Sequence, residues 1–263
     1  MPRCLIVKNV IVSSLLLFSI NIHSTEITIA GDNWCPINCG ESDTNQGFMI
    51  DVAKQAFKHS NIKVNYIEVP WTRAVGLARK GEIHAIVGAF KGDAPDFIFP
   101  TYSLLQISPS SLFGKNANWQ YQGISSLNKV TLGTIKGYDY GSELNAYVNS
   151  LAATDSSQLV QLYGNNAVER SIQFLLRERI NVFVESAPVF WYHANNLGVS
   201  NQVVELGSVS PAKPCYIAFS PQNKQSEKLA LALDKGIQKL RSNKQIKLIA
   251  NKYGLPESSY ANK

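Results

Sequence analysis

Apolar residues recur along the chain in two spacings: every second residue in short runs, and every third or fourth residue in longer ones. Residues 26–30 (EITIA) alternate apolar and polar side chains, which is typical of a half-buried strand. Residues 47–59 repeat apolar side chains four positions apart, which is typical of a helix facing a core. The pattern predicts a strand and then a helix from residue 26 onwards.

The clearest unit is residues 62–90, IKVNYIEVPWTRAVGLARKGEIHAIVGAF. It predicts a strand at 62–67, a helix at 73–80 ended by Gly81, and a second buried strand at 85–87. A βαβ unit of this size implies a parallel sheet. Ligands of open α/β sheets bind outside the carboxyl ends of the strands, so the unit also predicts a binding wall there.

The same β-α-β-α-β order recurs later in the chain. It predicts strands at 130–135, 159–162 and 180–184, with helices at 142–151 and 165–177 between them. The remaining predicted elements are a helix at 188–196, a strand at 203–206, an extended segment at 211–219, and helices at 227–240 and 244–253.

Two repeats of one pattern predict an α/β protein with two lobes. We expect a first lobe at residues 25–113, a second at 114–210, and a return strand with C-terminal helices on the first lobe at 211–263. Two crossing strands, near 110–125 and 207–217, would join the lobes. Such a hinged cleft is an arrangement that closes over a ligand.

The length and composition of the chain are sufficient for two lobes, and its charge pattern argues against one class of partner. The chain has 263 residues, of which 45% are apolar, enough for two domains of about 100–150 residues each. The formal charge is +6, but the basic residues are dispersed with no run of five. Nucleic-acid binding usually needs a clustered basic face, so a nucleic-acid partner is not expected.

Residues 1–24 have the organisation of a secretory signal peptide. Arg3 and Lys8 supply the positive charge, residues 10–20 form an apolar run, and Ser24 is a small residue before the expected cut. The alternative is a membrane anchor, but spanning takes about 20 apolar residues. The sequence therefore predicts an exported, periplasmic protein that is monomeric.

Export to an oxidising compartment makes a disulfide bond between cysteines more favourable than free thiols. Cys35 and Cys39 lie in WCPINC, and an oxidising compartment favours a bridge between them that shapes the loop carrying Trp34. A redox-active pair is the alternative, although the spacing is not C-x-x-C. The histidines are isolated from the cysteines, so no metal site and no cofactor are expected. Whether Cys215 is a free thiol stays open.

The chain resembles the bacterial periplasmic solute-binding proteins of family 3, the amino-acid-type binding proteins of ABC transporters. The resemblance covers roughly residues 25–255 and is carried by six segments in the family's order. They are GFMIDVAKQAF, PWTRAVGLARKGEIHAIVGAF, LGTIKGYDYGSEL, GNNAVERSIQFLLRERINVFVES, CYIAFSP and IKLIANKYGL. It implies the two-lobed type II periplasmic-binding-protein fold, with the ligand held between the lobes.

The resemblance also implies a ligand-binding pattern from which this chain departs. In amino-acid binders of the family, an arginine after the third strand grips the α-carboxylate and a second-lobe aspartate holds the ammonium group. Here residues 90–96 (FKGDAPD) contain no arginine, and Ser186 falls on the aspartate position beside Glu185. We therefore do not expect an ordinary α-amino acid as the ligand. Arg73 is the first candidate for the missing positive charge, with Lys91 and Lys136 behind it.

Strand ends, turns and aromatic residues that could stack a ligand supply the other candidates. The full set of expected ligand-binding residues is Trp34, Trp71, Arg73, Gly88, Ala89, Phe90, Lys91, Tyr102, Lys136, Tyr138, Asn166 and Glu185. Each also has a structural reading: the tryptophans could be packing residues, Asn166 a helix cap, and Glu185 a solvated salt bridge.

The function expected from these features is capture of a small polar solute for the membrane permease of an ABC-type importer. The chain has no G-x-S-x-G, H-E-x-x-H or G-x-G-x-x-G motif, so an enzyme is not expected. Two alternatives remain open. One is a cyclohexadienyl-dehydratase-like enzyme on the same fold that uses Glu185, and the other is a ligand sensor that reports to a membrane receptor.

Overall fold

The computed structural model describes residues 25–164 and 166–260, which form two five-stranded sheets with helices packed on them. The predicted signal peptide at 1–24 lies outside the described residues, as does Asn165, where a helix was expected to begin. None of the helices in the described part of the chain is both long enough and apolar enough to cross a membrane.

The strands and helices have the following bounds. The strands are β1 (Thr25–Gly31), β2 (Ile62–Glu68), β3 (Ala85–Ala89), β4 (Leu105–Ile107), β5 (Ser111–Gly114), β6 (Leu132–Ile135), β7 (Leu159–Leu162), β8 (Val182–Glu185), β9 (Val204–Ser208) and β10 (Lys213–Phe219). The helices are α1 (Phe48–Lys58), α2 (Trp71–Arg79), α3 (Ser142–Ala153), α4 (Ala167–Leu176), α5 (Ala187–Asn196), α6 (Ser226–Ser242) and α7 (Gln245–Lys252).

Each sheet has three parallel strands on one side and antiparallel pairings on the other. The first has the order β2-β1-β3-β10-β4 and the second the order β7-β6-β8-β5-β9. In both, three strands of one β-α-β-α-β segment run parallel, and the fourth strand pairs antiparallel to them. The α/β class and the two-lobed fold expected from the sequence are confirmed.

The two lobes repeat one local contact at the start of the third parallel strand. His84 accepts a hydrogen bond on Nδ1 from the Thr28 backbone N–H at 3.0 Å, and Asn181 accepts one on Oδ1 from the Thr131 N–H at 2.8 Å. Each acceptor ties the turn before its strand to the middle one of the three parallel strands, at Thr28 within β1 and at Thr131 immediately before β6. The duplicated sequence pattern thus corresponds to a duplicated three-dimensional unit.

The lobes are joined by two serine-rich crossings, residues 108–110 and 209–212, that lie side by side. The Ser108 hydroxyl lies 2.8 Å from the Ser210 carbonyl oxygen and donates to it. The Ser210 N–H donates to the Ser110 hydroxyl at 3.0 Å, and the Val209 N–H donates to the Ser110 carbonyl at 3.0 Å. These bonds hold the two crossings together as one hinge.

The segment that follows the first crossing joins the second sheet, which differs from the expectation for its first residues. Residues 111–113 were expected in the first lobe, but β5 pairs with β8 and β9 of the second sheet. Residues 114–123, expected at the start of the second lobe, lead from the end of β5 to a 3-10 turn at Ile124–Lys129. The apolar pattern alone does not show which sheet a strand joins. The exact lobe boundaries stay a prediction.

The C-terminal helices return to the first lobe, where α6 packs on α1. The contact is closest at Gly236, where an added Cβ would lie 2.5 Å from the Ala56 carbonyl oxygen and 2.6 Å from the Ala56 Cα. Gly76 in α2 is the opposite case, because an added Cβ would meet nothing within 4 Å. Glycine is therefore required sterically at position 236 and is not required sterically at position 76.

We expect Gly236→Ala to lower the free energy of unfolding by about 1–3 kcal/mol, because overpacking forces two backbones apart. The matched change Gly76→Ala should raise it by about 0.5–1 kcal/mol, since alanine is the better helix former and fits without a clash. Urea unfolding of both variants beside the parent chain measures this. Equal effects of the two substitutions would contradict the close approach of α6 to α1.

Candidate functional site

The candidate site is a cavity between the lobes, where the carboxyl ends of both sheets' parallel strands face each other. The first lobe contributes residues after β1, at the start of α2 and after β3; the second contributes residues after β6 and at the end of β8. Its lining residues are Asp32, Trp34, Trp71, Val87, Gly88, Phe90, Asp93, Pro109, Tyr138, Asp139 and Glu185. The cavity is small, about 20 Å³, which is room for about one water molecule.

Hydrogen bonds across the cleft hold the lobes together around this cavity. Trp34 Nε1 donates to Glu185 Oε1 at 2.8 Å, and the Tyr138 hydroxyl donates to Asp32 Oδ2. Trp71 Nε1 donates to the Gly137 carbonyl at 3.1 Å. Each bond joins a side chain or backbone group of one lobe to the other, so the structure is a closed form.

A fourth interlobe contact involves Asp93, in the loop after β3. Its Oδ1 accepts a hydrogen bond from the Asp139 backbone N–H at 2.8 Å, and its Oδ2 accepts one from the Phe90 N–H at 2.7 Å. Asp93 therefore fixes the loop of its own lobe and also holds the turn after β6. Its carboxyl group is a structural part of the closed cleft.

The cleft is acidic, and burial shifts its carboxyl groups. Desolvation raises the pKa of Asp32 to about 6, although the bond from Tyr138 opposes the shift. Desolvation likewise raises the pKa of Asp93 to about 8 and that of Glu185 to about 8. Among the described residues, no lysine or arginine lines the cavity. These carboxyl groups therefore lack the cation that would normally keep their pKa low.

Aromatic rings form the walls of the cavity. The Trp34 ring meets Phe90 and Tyr138 edge to face, with centroids 6.3 Å and 6.4 Å apart. Trp71 meets Tyr138 in the same way at 6.2 Å. These rings line the same cavity as the carboxyl groups, and aromatic walls are suited to apolar and cationic groups.

Glu185 differs from the other acids because part of its carboxyl group has no partner. Its Oε1 accepts hydrogen bonds from Trp34 and from the Ser186 N–H at 2.7 Å. Its Oε2 is buried and makes no hydrogen bond, while the residue as a whole is 1% exposed. Unpaired buried oxygens are uncommon in proteins and call for an explanation.

The loop that carries Trp34 is held by local covalent and backbone constraints. Cys35 and Cys39 form a disulfide with Cα atoms 4.5 Å apart, as expected from the sequence. The Trp34 N–H donates to the Asn38 carbonyl at 2.7 Å. At Gly88, with φ +83°, an added Cβ would lie 3.2 Å from the Trp34 ring, so this position favours glycine both conformationally and sterically.

Six of the expected ligand-binding residues line the central cavity. They are Trp34, Trp71, Gly88, Phe90, Tyr138 and Glu185. Ala89 is buried beside them in the first lobe's core rather than among the lining residues. Asn166 lines a separate small hollow that also contacts Asp32 and Tyr138.

The structure does not bring the expected positive charges into the cavity. Arg73 is exposed, because the buried residues of α2 repeat from Trp71 and Ala74, which places position 73 on the solvent side. Lys136 is also exposed. Lys91 is exposed, with Nζ 5.8 Å from the Tyr216 ring centroid at the rim of a wider neighbouring hollow.

Tyr102 lies away from the cleft. Its hydroxyl accepts a hydrogen bond from Gln238 Nε2 at 2.6 Å, and the Arg241 guanidinium lies 5.2 Å from its ring centroid. Both partners are on α6, so Tyr102 packs the C-terminal helix on the first lobe. The sequence around Tyr102 did not show whether its ring would face the cleft or pack against a helix.

Sequence reasoning did not select Asp32, Asp93 and Asp139 as site residues. All three follow strands whose carboxyl ends face the cleft. Their position after these strands is the sequence feature by which they could have been predicted. The family pattern of an arginine that grips a carboxylate favoured basic residues at this place instead. The structure shows an acidic site in the place where a basic one was sought.

Comparison with known proteins agrees with the fold. The model of "Bacterial extracellular solute-binding proteins, family 3" matches residues 27–256. No curated protein sequence matches the chain.

Solved structures with the same fold include several binding proteins. A chain from a study of glutathione import in Streptococcus mutans has a TM-score of 0.70 at 15% identity, covering 89% of this chain and 98% of its own. A histidine-bound ABC transporter binding protein from Streptococcus pneumoniae has a TM-score of 0.68 at 19% identity, with 87% and 92% covered. A histidine kinase sensor domain has a TM-score of 0.69 at 15% identity, with 87% and 95% covered.

The buried carboxyl groups predict an unusual pH dependence of stability. Glu185 has a pKa near 4.5 in the unfolded chain and about 8 in the folded one, so the folded state binds the proton more tightly. Its contribution to stability is complete below about pH 4 and is lost as the pH rises towards 8. We expect a fall of about 1 kcal/mol or less per pH unit in this window from this group.

Urea unfolding of the parent chain and of Glu185→Gln between pH 5 and 8 measures this contribution. The amide imitates the protonated carboxyl group, so the slope of stability against pH should flatten in the variant. Glu205→Gln changes an exposed glutamate of the same lobe and should keep the parent slope. Identical slopes for the parent and Glu185→Gln would show that Glu185 is not buried in this way.

Proposed function

Because the chain belongs to the bacterial extracellular solute-binding proteins of family 3, we propose that it captures a small polar solute between its lobes. It delivers this solute to the membrane permease of an ABC-type importer. The observation that carries the proposal is the cavity lined by side chains of both lobes, with hydrogen bonds that close across it. A solute held there contacts both lobes at once and so stabilises the closed form.

The hinge supports the same function. The lobes are connected by the two short crossings, which are hydrogen-bonded to each other through serine residues. The other contacts between the lobes at the cleft are separate hydrogen bonds, such as the one from the Asp139 N–H to Asp93. Such a molecule can open by breaking the cleft bonds without disturbing either core. Closure on a ligand by hinge motion is the standard mode of two-lobed binding proteins.

The proposed ligand is not an ordinary α-amino acid. An α-carboxylate sealed from water needs charge-assisted donors, and a bidentate arginine is the best of them. In the described part of the chain, the central cavity is lined by acids and aromatic rings without a basic side chain. Arg73, the expected substitute, points to solvent instead.

The protein works outside the cytoplasm in this proposal, exported by the signal peptide at residues 1–24 and released into the periplasm as a monomer. The disulfide between Cys35 and Cys39 is consistent with an oxidising compartment. Its partners are the solute and the permease.

The dehydratase-like alternative is not favoured by the cleft. An enzyme acting on cyclohexadienyl acids must hold the substrate carboxylate, and the described residues offer no basic side chain in the central cavity for it. A sensor role shares the fold, since a kinase sensor domain is structurally similar. Solute capture is common to the sensor and the transporter component, and it is the property to test first.

A thermal-shift screen of amines, amino acids, organic acids and sugars tests solute capture. A solute present at about 100 times its Kd should raise the midpoint of unfolding by about 5–10 °C, because binding to the native state stabilises it. Gly88→Trp, which fills the cavity beside Trp34, should abolish the shift. If no solute of any class raises the midpoint of the parent chain, solute capture is contradicted.

A further inference from the structure

The central cavity concentrates carboxyl groups, and the described residues that line it include no cation to pair with them when they ionise. Asp32, Asp93, Asp139 and Glu185 all line it, and no lysine or arginine among the described residues does so. An isolated carboxylate is costly to bury unless a cation or several hydrogen bonds compensate it. A cationic ligand would supply that compensation.

Glu185 shows where such a ligand would bind. Its Oε1 is occupied by Trp34 and Ser186, whereas Oε2 is buried and unpartnered in a residue that lines the cavity. Once Glu185 has lost its proton, the unpartnered Oε2 is an acceptor, so the matching ligand group is a donor. An ammonium N–H satisfies both the hydrogen-bonding capacity and the charge.

The walls fit the same ligand chemistry. Trp34, Trp71, Phe90 and Tyr138 surround the acids, and aromatic faces attract ammonium groups. The same rings accept an alkyl or aryl group next to the ammonium. A carboxylate or phosphate would gain little from these walls.

The spacing of the acids does not suit a metal ion instead. Among the described residues, one group of three acidic, cysteine or histidine side chains has ligand atoms within 4.8 Å of one another. That group is Cys35, Cys39 and Asp43, where both sulfurs are in the disulfide. No three of the described cleft carboxyl groups have ligand oxygens within 4.8 Å of one another, which favours an organic cation over a metal ion held by several carboxylates.

The dimensions limit the part of the ligand that enters. The central cavity of about 20 Å³ holds a group of about the size of a water, such as a primary ammonium. A wider hollow of about 490 Å³, open to solvent, shares Phe90 and Asp139 with it. The ammonium head fits the inner cavity and the remainder of the molecule can occupy the hollow.

We propose that the ligand is a small primary amine whose ammonium group binds between the lobes and donates a hydrogen bond to Glu185 Oε2. The carbon that carries the ammonium carries no carboxylate. This inference rests on the proposed solute capture and names the chemical class of solute.

The same acidic residues explain why the ligand carries no carboxylate next to its ammonium group. In an α-amino acid the carboxylate is bonded to the ammonium-bearing carbon, so it would lie at the mouth of the inner cavity, close to the carboxyl groups that line it. The nearest basic side chains around the wider hollow, Lys91 and Lys213, lie outside the central lining. Repulsion and desolvation would therefore oppose binding of the amino acid.

Matched pairs of compounds that differ only by this carboxylate test the proposal. Calorimetry would compare tyramine with tyrosine, histamine with histidine, putrescine with ornithine, and agmatine with arginine. In at least one pair the amine should bind about 100-fold more tightly than its amino acid, because an unpaired buried carboxylate is so costly.

Glu185→Gln should weaken binding of that amine by about 30-fold, the expected effect of losing one partner of a buried charge pair. Glu205→Gln, an exposed glutamate on β9, serves as the matched control and should bind like the parent. Circular dichroism and thermal unfolding show whether Glu185→Gln is folded.

A second measurement needs no variant. Glu185 faces Asp32, Tyr138 and Tyr140, and Asp93 faces Asp139, Asp32 and Cys215. Because the acids bind protons in the free protein, an ammonium must displace protons as it enters. Affinity for the amine should rise between pH 6 and 8.5, where simple amines stay protonated.

The outcomes separate the ligand class from solute capture. Equal or tighter binding of the amino acid, binding of Ca²⁺ or Mn²⁺ that competes with the amine, or exclusive binding of sugars or organic acids would overturn the amine proposal while solute capture stands. Unchanged affinity in folded Glu185→Gln, or affinity that falls as the pH rises, would overturn it too. Binding of none of the compounds in any class would overturn both.

Discussion

The closed cleft depends on carboxyl groups buried without a basic partner. Glu185 accepts the Trp34 indole N–H across the cleft, and Asp93 accepts the Asp139 N–H, so these acids join the lobes as well as carrying charge. Burial raises the pKa of both to about 8, which couples closure to protons. In our proposal, a protonated cleft closes without a ligand, whereas an ionised one requires a cation.

The fold explains why these groups meet. Each lobe repeats the same β-α-β-α-β unit, and the parallel strands of both end at the same cleft. The loops after β1, β3 and β6 and the end of β8 are therefore brought together from positions far apart in the chain. The crossings that join the lobes, which are hydrogen-bonded to each other, are the hinge about which we propose that the lobes open and close.

Much of this architecture was predictable because it depends on local periodicity. The spacing of apolar residues predicted the strands and helices, and the strand-end rule predicted that Trp71, Gly88 and Phe90 would lie near one another. Glu185 was selected through the family resemblance. Asp32, Asp93 and Asp139 were not selected, because their role follows from burial and from contacts between distant loops. Arg73 was selected for its charge, but the phase of α2 turns it to solvent.

The central claim is that an ammonium group binds between the lobes at Glu185. A crystal structure of the protein grown with the tightest-binding amine tests it most directly. The account predicts the ammonium nitrogen within about 3.2 Å of Glu185 Oε2, with aromatic rings around it. An ammonium bound elsewhere, or a ligand carboxylate held by a lysine or arginine that has moved into the cleft, would contradict it.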